Sequence, residues 1–141
     1  EYIKKYNSIL AVAFIILVVL IVGFQQIKSA DSLIKSKATS YDVIKSAGLW
    51  IKQNSQPSDV VISNSIPQNT YYSERATYYE YEDAKIKSHN PRFFVVSIFE
   101  NSGEAYFKYP QEHQSELKIV QVYFADKEQK QPMLIIFEFT S

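Results

Sequence analysis

The sequence contains no cysteine, which excludes a disulfide framework, a thiolate metal site and a cysteine nucleophile. Its only glycines, Gly23, Gly48 and Gly103, stand far apart, so no Gly-rich loop is available to cradle a phosphate. The two histidines, His89 and His113, have no His or Cys neighbours and fall short of the ligand set that zinc uses. Both read as exposed loop residues. An excess of either charge is also missing. Fifteen basic side chains balance fifteen acidic ones, whereas domains built on phosphate neutralisation carry a clear basic surplus; no nucleic-acid partner is expected. There is no internal repeat, no low-complexity tract and no Asn-x-Ser/Thr sequon.

What is present suits a compact domain. With 141 residues, 46% of them hydrophobic, the chain is long enough for a core and too apolar for disorder. Eleven tyrosines and nine phenylalanines favour β structure and packed or interfacial surfaces.

The apolar content is concentrated at the start. From Ile9 to Phe24 every residue is apolar or Gly, a run of roughly 24 Å as a helix. With its flanks it approaches the ~30 Å hydrocarbon core of a bilayer, and it has no polar face. The expectation is a transmembrane helix over residues 9–27, with residues 1–8 as a cytoplasmic flank and 28–39 as a linker or helix extension. Lys4 and Lys5 place the flank inside by the positive-inside rule, and the lipid bilayer is the first expected partner. A cleaved leader and a buried helix are the competing readings. The chain opens on Glu1 rather than Met, which fits trimming, initiator processing or numbering that begins partway through a longer protein.

Residues 40–141 read as an extracytoplasmic α/β domain with a small mixed sheet. Ser40 suits an N-cap with Asp42 in the first turn. Val43, Ile44, Ala47, Trp50 and Ile51 then fall on one helical face. Asp59–Ser63 is a short buried strand, and Pro67 starts a short helix at its first position. Residues 75–79 form a short strand or an edge segment and Glu82–Ser88 a brief helix. Phe93–Phe99 is apolar on both faces and therefore central. Residues 117–124 and 133–139 flank a polar turn as a closing antiparallel hairpin.

No self-contained active site is visible, so no catalytic and no metal-binding residue is assigned. Glu80, Glu82 and Asp83 read as a solvated face. The stretch from Pro67 to Arg75 is more specific: Gln68, Tyr71, Tyr72 and Arg75 recur at helical spacing. Tyrosine with arginine suits stacking on a sugar ring or holding a phosphate, and these four are the candidate substrate-binding residues. The competing reading is a packing cluster in which Arg75 satisfies a carboxylate or a helix end.

The order of motifs resembles the C-terminal end of a GT-C membrane glycosyltransferase, of the dolichyl-phosphate-mannose–protein mannosyltransferase and ArnT-like group. The resemblance is carried by Gly48-Leu-Trp-Ile-Lys-Gln-Asn-Ser55, Asp59-Val-Val-Ile-Ser63, Pro67-Gln68, Tyr71-Tyr-Ser-x-Arg75 and Pro91-Arg-Phe-Phe-Val-Val-Ser-Ile-Phe-Glu100. Residues 129–139 are similar to the closing strand of archaeal members. The resemblance implies an enzyme that moves a sugar from a polyprenyl-phosphate carrier to a glycan or protein acceptor outside the cytoplasm. Its catalytic residues would lie upstream, in a transmembrane part of the same protein, leaving this portion non-catalytic and without a cofactor of its own. The alternative is a single-span, membrane-anchored, extracytoplasmic protein that binds a ligand or partner. A pilin-like subunit is a further alternative, opposed by the polar, Lys-bearing first eight residues.

Overall fold

The structure, a computed structural model, describes residues 2–124 and 130–140; within the first helix the side chains of residues 2–9, 11–13, 15, 32, 35–37 and 39 lie outside the description. The elements run α1 (Tyr2–Gln53), β1 (Val60–Ser63), α2 (Ile66–Ser73), β2 (Ala76–Tyr78), α3 (Asp83–Ser88), β3 (Phe93–Ser97), α4 (Glu104–Glu112), β4 (Leu117–Phe124) and β5 (Pro132–Phe139). They divide into two units, Glu1–Thr39 and Ser40–Ser141.

The first unit is the amino-terminal part of α1. Among the described residues no helix is long and apolar enough to cross a membrane. The expected N-terminal transmembrane helix is therefore withdrawn. The physical reason is length: the uninterrupted run covers roughly 24 Å against a core of ~30 Å. Gln25, Gln26 and Lys28 follow it directly on the same helix. Its described side chains, among them Phe14, Leu20 and Phe24, are exposed, and the Lys28 ammonium sits over the Phe24 ring at 4.7 Å. The orientation argument from Lys4 and Lys5 falls on side chains outside the description. Ser40 is not a helix start either, because α1 runs through it.

The second unit is a five-stranded sheet in the order β2-β1-β3-β5-β4. β1 pairs in parallel with β2 and with β3, while β5 pairs antiparallel with β3 and with β4. The sheet is therefore mixed and its last two strands form an antiparallel pair; the polar turn joining them, residues 125–129, lies outside the description. β3 is interior and buried on both faces, as its unbroken apolar run requires.

Each face has its own core. On one, Ile44, Ala47 and Ile51 of α1 pack on Val61, Phe93, Val95, Leu134 and Ile136. Val43 and Trp50 flank them, so the apolar stripe of the helix is the buried one. Trp50 is only half-buried and meets Phe93 edge-on at 5.8 Å between centroids. On the other face, Ile86 of α3 and Tyr106 and Tyr109 of α4 cover Ile62 and Phe94. Both tyrosine rings stack on Phe94. Buried hydroxyls need partners: Tyr106 donates to the Val95 carbonyl at 2.7 Å and Tyr109 to Asp83 at 3.0 Å.

Gly48 sets the distance between α1 and α2. A Cβ placed there would stand 2.5 Å from the Cβ of Tyr72 and 3.3 Å from the Ser73 nitrogen. Alanine in a helix interior ordinarily gains about 1 kcal/mol over glycine. Here the clash outweighs that gain, because a Cβ cannot swing away. Gly48→Ala is expected to lower stability by about 1–3 kcal/mol in a urea melt of the full chain. A raised midpoint would show that the two helices do not need this approach.

Candidate functional site

The carboxyl end of α1 organises the region that carries the predicted site. A helix leaves its last carbonyls unpaired, and here those of Trp50, Ile51 and Lys52 find donors. The Trp50 carbonyl accepts from the Asn54 N–H and from its side-chain amide, and the Ile51 carbonyl accepts from Ser55 Oγ at 2.6 Å. The Lys52 carbonyl accepts from Arg75 Nη2 at 3.1 Å. Arg75 also donates to the Ser55 carbonyl at 2.9 Å, to Ser55 Oγ at 2.8 Å and to the Glu74 carbonyl at 3.1 Å. Its positive charge lies at the negative end of the helix dipole, where a cation is stabilising. Arg75 is buried. It is the pin of a helix end, which is the packing role weighed against substrate binding above.

The other three candidates do come together. Gln68, Tyr71 and Tyr72 line one cleft of about 560 Å³ with Tyr41, Lys45 and Pro67. Tyr72 meets Tyr41 and Tyr71 edge-on, with centroids 5.9 and 5.0 Å apart. The Tyr72 hydroxyl hydrogen-bonds that of Tyr41, and this bond, aided by desolvation, pushes its pKa up to about 12. Tyr71 leaves 75% of its surface exposed. Gln68 Oε1 is buried without a hydrogen-bond donor. Arg75 is not among the residues lining this cleft.

The helix that carries these residues ends on an unusual backbone. Glu74 caps α2 in the left-handed conformation, φ 55°, with its N–H bonded to the Thr70 carbonyl, and its carboxylate pairs with Lys52. That reversal turns the chain back so that Arg75 reaches α1. Ser73 Oγ assists by donating to the Asn69 carbonyl at 2.5 Å and accepting from the Arg75 N–H at 3.1 Å.

The opposite end of the sheet holds a larger cleft, about 640 Å³, lined by charged groups that include Asp59, Lys87, Arg92, Glu116 and Glu138. Arg92 bridges Asp59 at 2.9 Å and Glu138 at 3.1 Å. Burial works against the Asp59 charge, but the Gln56 N–H and the Arg92 guanidinium outweigh it and hold its carboxyl below the usual range. Beside it, Lys87 pairs with Asp83 at 3.1 Å and Glu116 at 3.0 Å. These charges satisfy one another and lie at the amino ends of β1 and β3. The histidines are not free loop residues: His89 stacks on Tyr78 at 4.1 Å and His113 on Tyr109 at 4.2 Å. Among the described residues no group of His, Asp or Glu is placed to hold a metal ion.

Compared with known proteins, the chain matches no family model, no curated protein and no solved structure.

Two outcomes test this assignment of roles. Arg75→Ala strips the donor from the Lys52 and Ser55 carbonyls and is expected to cost about 3 kcal/mol, read as a lowered denaturation midpoint; an unchanged midpoint would return Arg75 to the substrate candidates. Asp59 has a depressed folded pKa, so its contribution is present above its unfolded value near ~3.9. That contribution is lost as pH falls through the lower folded value. In acid titrations followed by circular dichroism, Asp59→Asn should be less stable at pH 7 and show a shallower loss below about pH 4.

Proposed function

We propose that the Ser40–Ser141 unit is a non-catalytic, extracytoplasmic domain of an enzyme that transfers a sugar from a polyprenyl-phosphate carrier to an acceptor. The observation that carries this reading is that the motifs behind the resemblance pack against one another in pairs, at both ends of the sheet. Gly48 lies against Tyr72, Arg75 pins Lys52 and Ser55, and Asp59 pairs with Arg92. The most characteristic residues of the pattern therefore have scaffold duties, which leaves the chemistry to residues elsewhere in such an enzyme. What the scaffold presents to solvent is the cleft of Gln68, Tyr71 and Tyr72, with Lys45 at its side. Tyrosine faces suit the apolar side of a sugar ring and an ammonium suits the carrier's phosphate. In this reading the cleft meets the donor's head group, at the membrane surface where a lipid-linked donor resides.

A binding domain that works without any transferase is the second reading, supported by the compactness of the Ser40–Ser141 unit. Sugar transfer separates the two. The full-length gene product is incubated with polyprenyl-phosphate-linked mannose or glucose, and labelled sugar is followed into glycan or protein. Transfer is expected, and Tyr71→Ala should raise the donor KM about tenfold, equivalent to ~1.4 kcal/mol, at unchanged kcat. No transfer from either donor would remove the transferase reading and leave the binding domain.

A further inference from the structure

The three parallel strands place a second crevice at their carboxyl ends. After β1 the chain leaves through α2 toward β2; after β3 it leaves through α4 toward the opposite edge. β1 and β3 are neighbours, so their carboxyl ends are where the strand order reverses. Open α/β sheets bind ligands at such a switch point, because the diverging connections leave a gap over the sheet.

Here the gap is about 290 Å³ and each parallel strand supplies the residues that follow its end. Asn64, Ile66 and Pro67 come after β1, Tyr79 after β2, and Glu100, Asn101 and Ser102 after β3. Its floor is fixed. The Asn64 side-chain amide donates to the Ser97 carbonyl at 2.7 Å and accepts from the Ser97 N–H at 3.1 Å, extending the ladder by one rung. Its wall is aromatic, since Tyr79 is held by stacking on Tyr106 with centroids 5.1 Å apart. Between two lining residues lies Ser65, 1% exposed, whose hydroxyl has no hydrogen-bond partner. Native folds rarely leave such a group unpaired.

The charges select the ligand. None of the described lining residues is Lys, Arg or His, and Glu100 contributes a carboxylate. A phosphate or other anion would meet repulsion with no compensating cation. An apolar ligand would leave the amides and the carboxylate desolvated and unpaired, at a cost. A neutral, hydroxyl-rich ring fits both halves: its C–H face covers Tyr79 and Pro67, and its hydroxyls donate to Glu100 and exchange hydrogen bonds with Asn101 and Ser102.

We propose that this crevice is a binding site for a neutral sugar residue. The proposal deepens the sugar-transfer reading by naming the chemical class of the acceptor. Pro67 lines both this crevice and the Tyr71 cleft, which sets a neutral sugar beside the surface assigned to the donor. Its geometry, however, stands without any transfer.

The test is binding, not turnover. Saturation-transfer difference NMR on the full chain uses the methyl glycosides of mannose, glucose and N-acetylglucosamine as probes. Ring protons of at least one glycoside should saturate. Asn101→Ala, at an exposed position, and Glu100→Gln should each weaken binding about tenfold, while Lys118→Ala, exposed on the edge strand β4, leaves it unchanged. Tyr79→Ala is avoided as sole evidence because that ring also packs on the core. No saturation by any glycoside overturns the proposal. So does saturation that survives both crevice variants or is competed away by inorganic phosphate. A chain that binds glycosides but transfers no sugar keeps the crevice and loses the transferase reading; transfer without binding does the reverse.

Discussion

The Arg75 guanidinium holds three pieces of chain at once. It closes the end of α1, fixes the turn that follows that helix through Ser55, and anchors the start of β2 beside it. Everything between Lys52 and Arg75 is thereby tied into a closed loop that contains β1 and α2. The alternative donor to those carbonyls would be water, but the site is buried, so the cation has no ready substitute. The cleft of Gln68, Tyr71 and Tyr72 inherits its shape from this closure, because α2 is seated between Gly48 on one side and the Arg75 turn on the other.

The two ends of the sheet are used differently. At the amino ends of β1 and β3, Arg92, Asp59 and Glu138 neutralise one another, and the residues around them are spent on holding the strands. At the carboxyl ends, polar groups remain with capacity to spare: Ser65 Oγ, Gln68 Oε1 and Asn69 Oδ1 are buried and unpaired. A fold that satisfies its polar atoms at one end and leaves them open at the other concentrates recognition where the loops diverge. That polarity follows from topology and not from composition, since both ends contain Asn, Glu and aromatic residues.

Much of this arrangement was legible in the residues because it is local. The stripe Val43, Ile44, Ala47, Trp50, Ile51 repeats at helical spacing, and the continuous run Phe93–Ser97 marks an interior strand. Pro67 lies in the first turn of α2, where its missing N–H costs nothing. What was not legible depends on partners far along the chain. Arg75 is readable as closing a helix end but not as closing that of Lys52, and Asn64 carries no sign that Ser97 will offer a rung. The histidines looked solvent-exposed because their neighbours in sequence are polar, whereas their ring partners, Tyr78 and Tyr109, are set by the turns after α3 and α4. The amino-terminal apolar run misled for a different reason. Its roughly 24 Å approaches the ~30 Å core only with its flanks, and those flanks are polar and cannot complete a span. Helical spacing places Gln68, Tyr71 and Tyr72 together, and they line one cleft, whereas Arg75 follows a left-handed residue that breaks the spacing.

The strand order has a bearing on how the domain is made. β5 is the last strand in the chain, yet it lies inside the sheet, between β3 and β4. Leu134 and Ile136, both fully buried, reach the core only with it. During synthesis, at roughly 5–20 residues per second, β4 emerges with no neighbour to pair with, and β3 waits with one edge bare. The sheet can assemble only after residue 139 has cleared the ribosome. Until then β3 keeps one open edge and β4 two, the kind of unpaired edge that invites pairing with other chains.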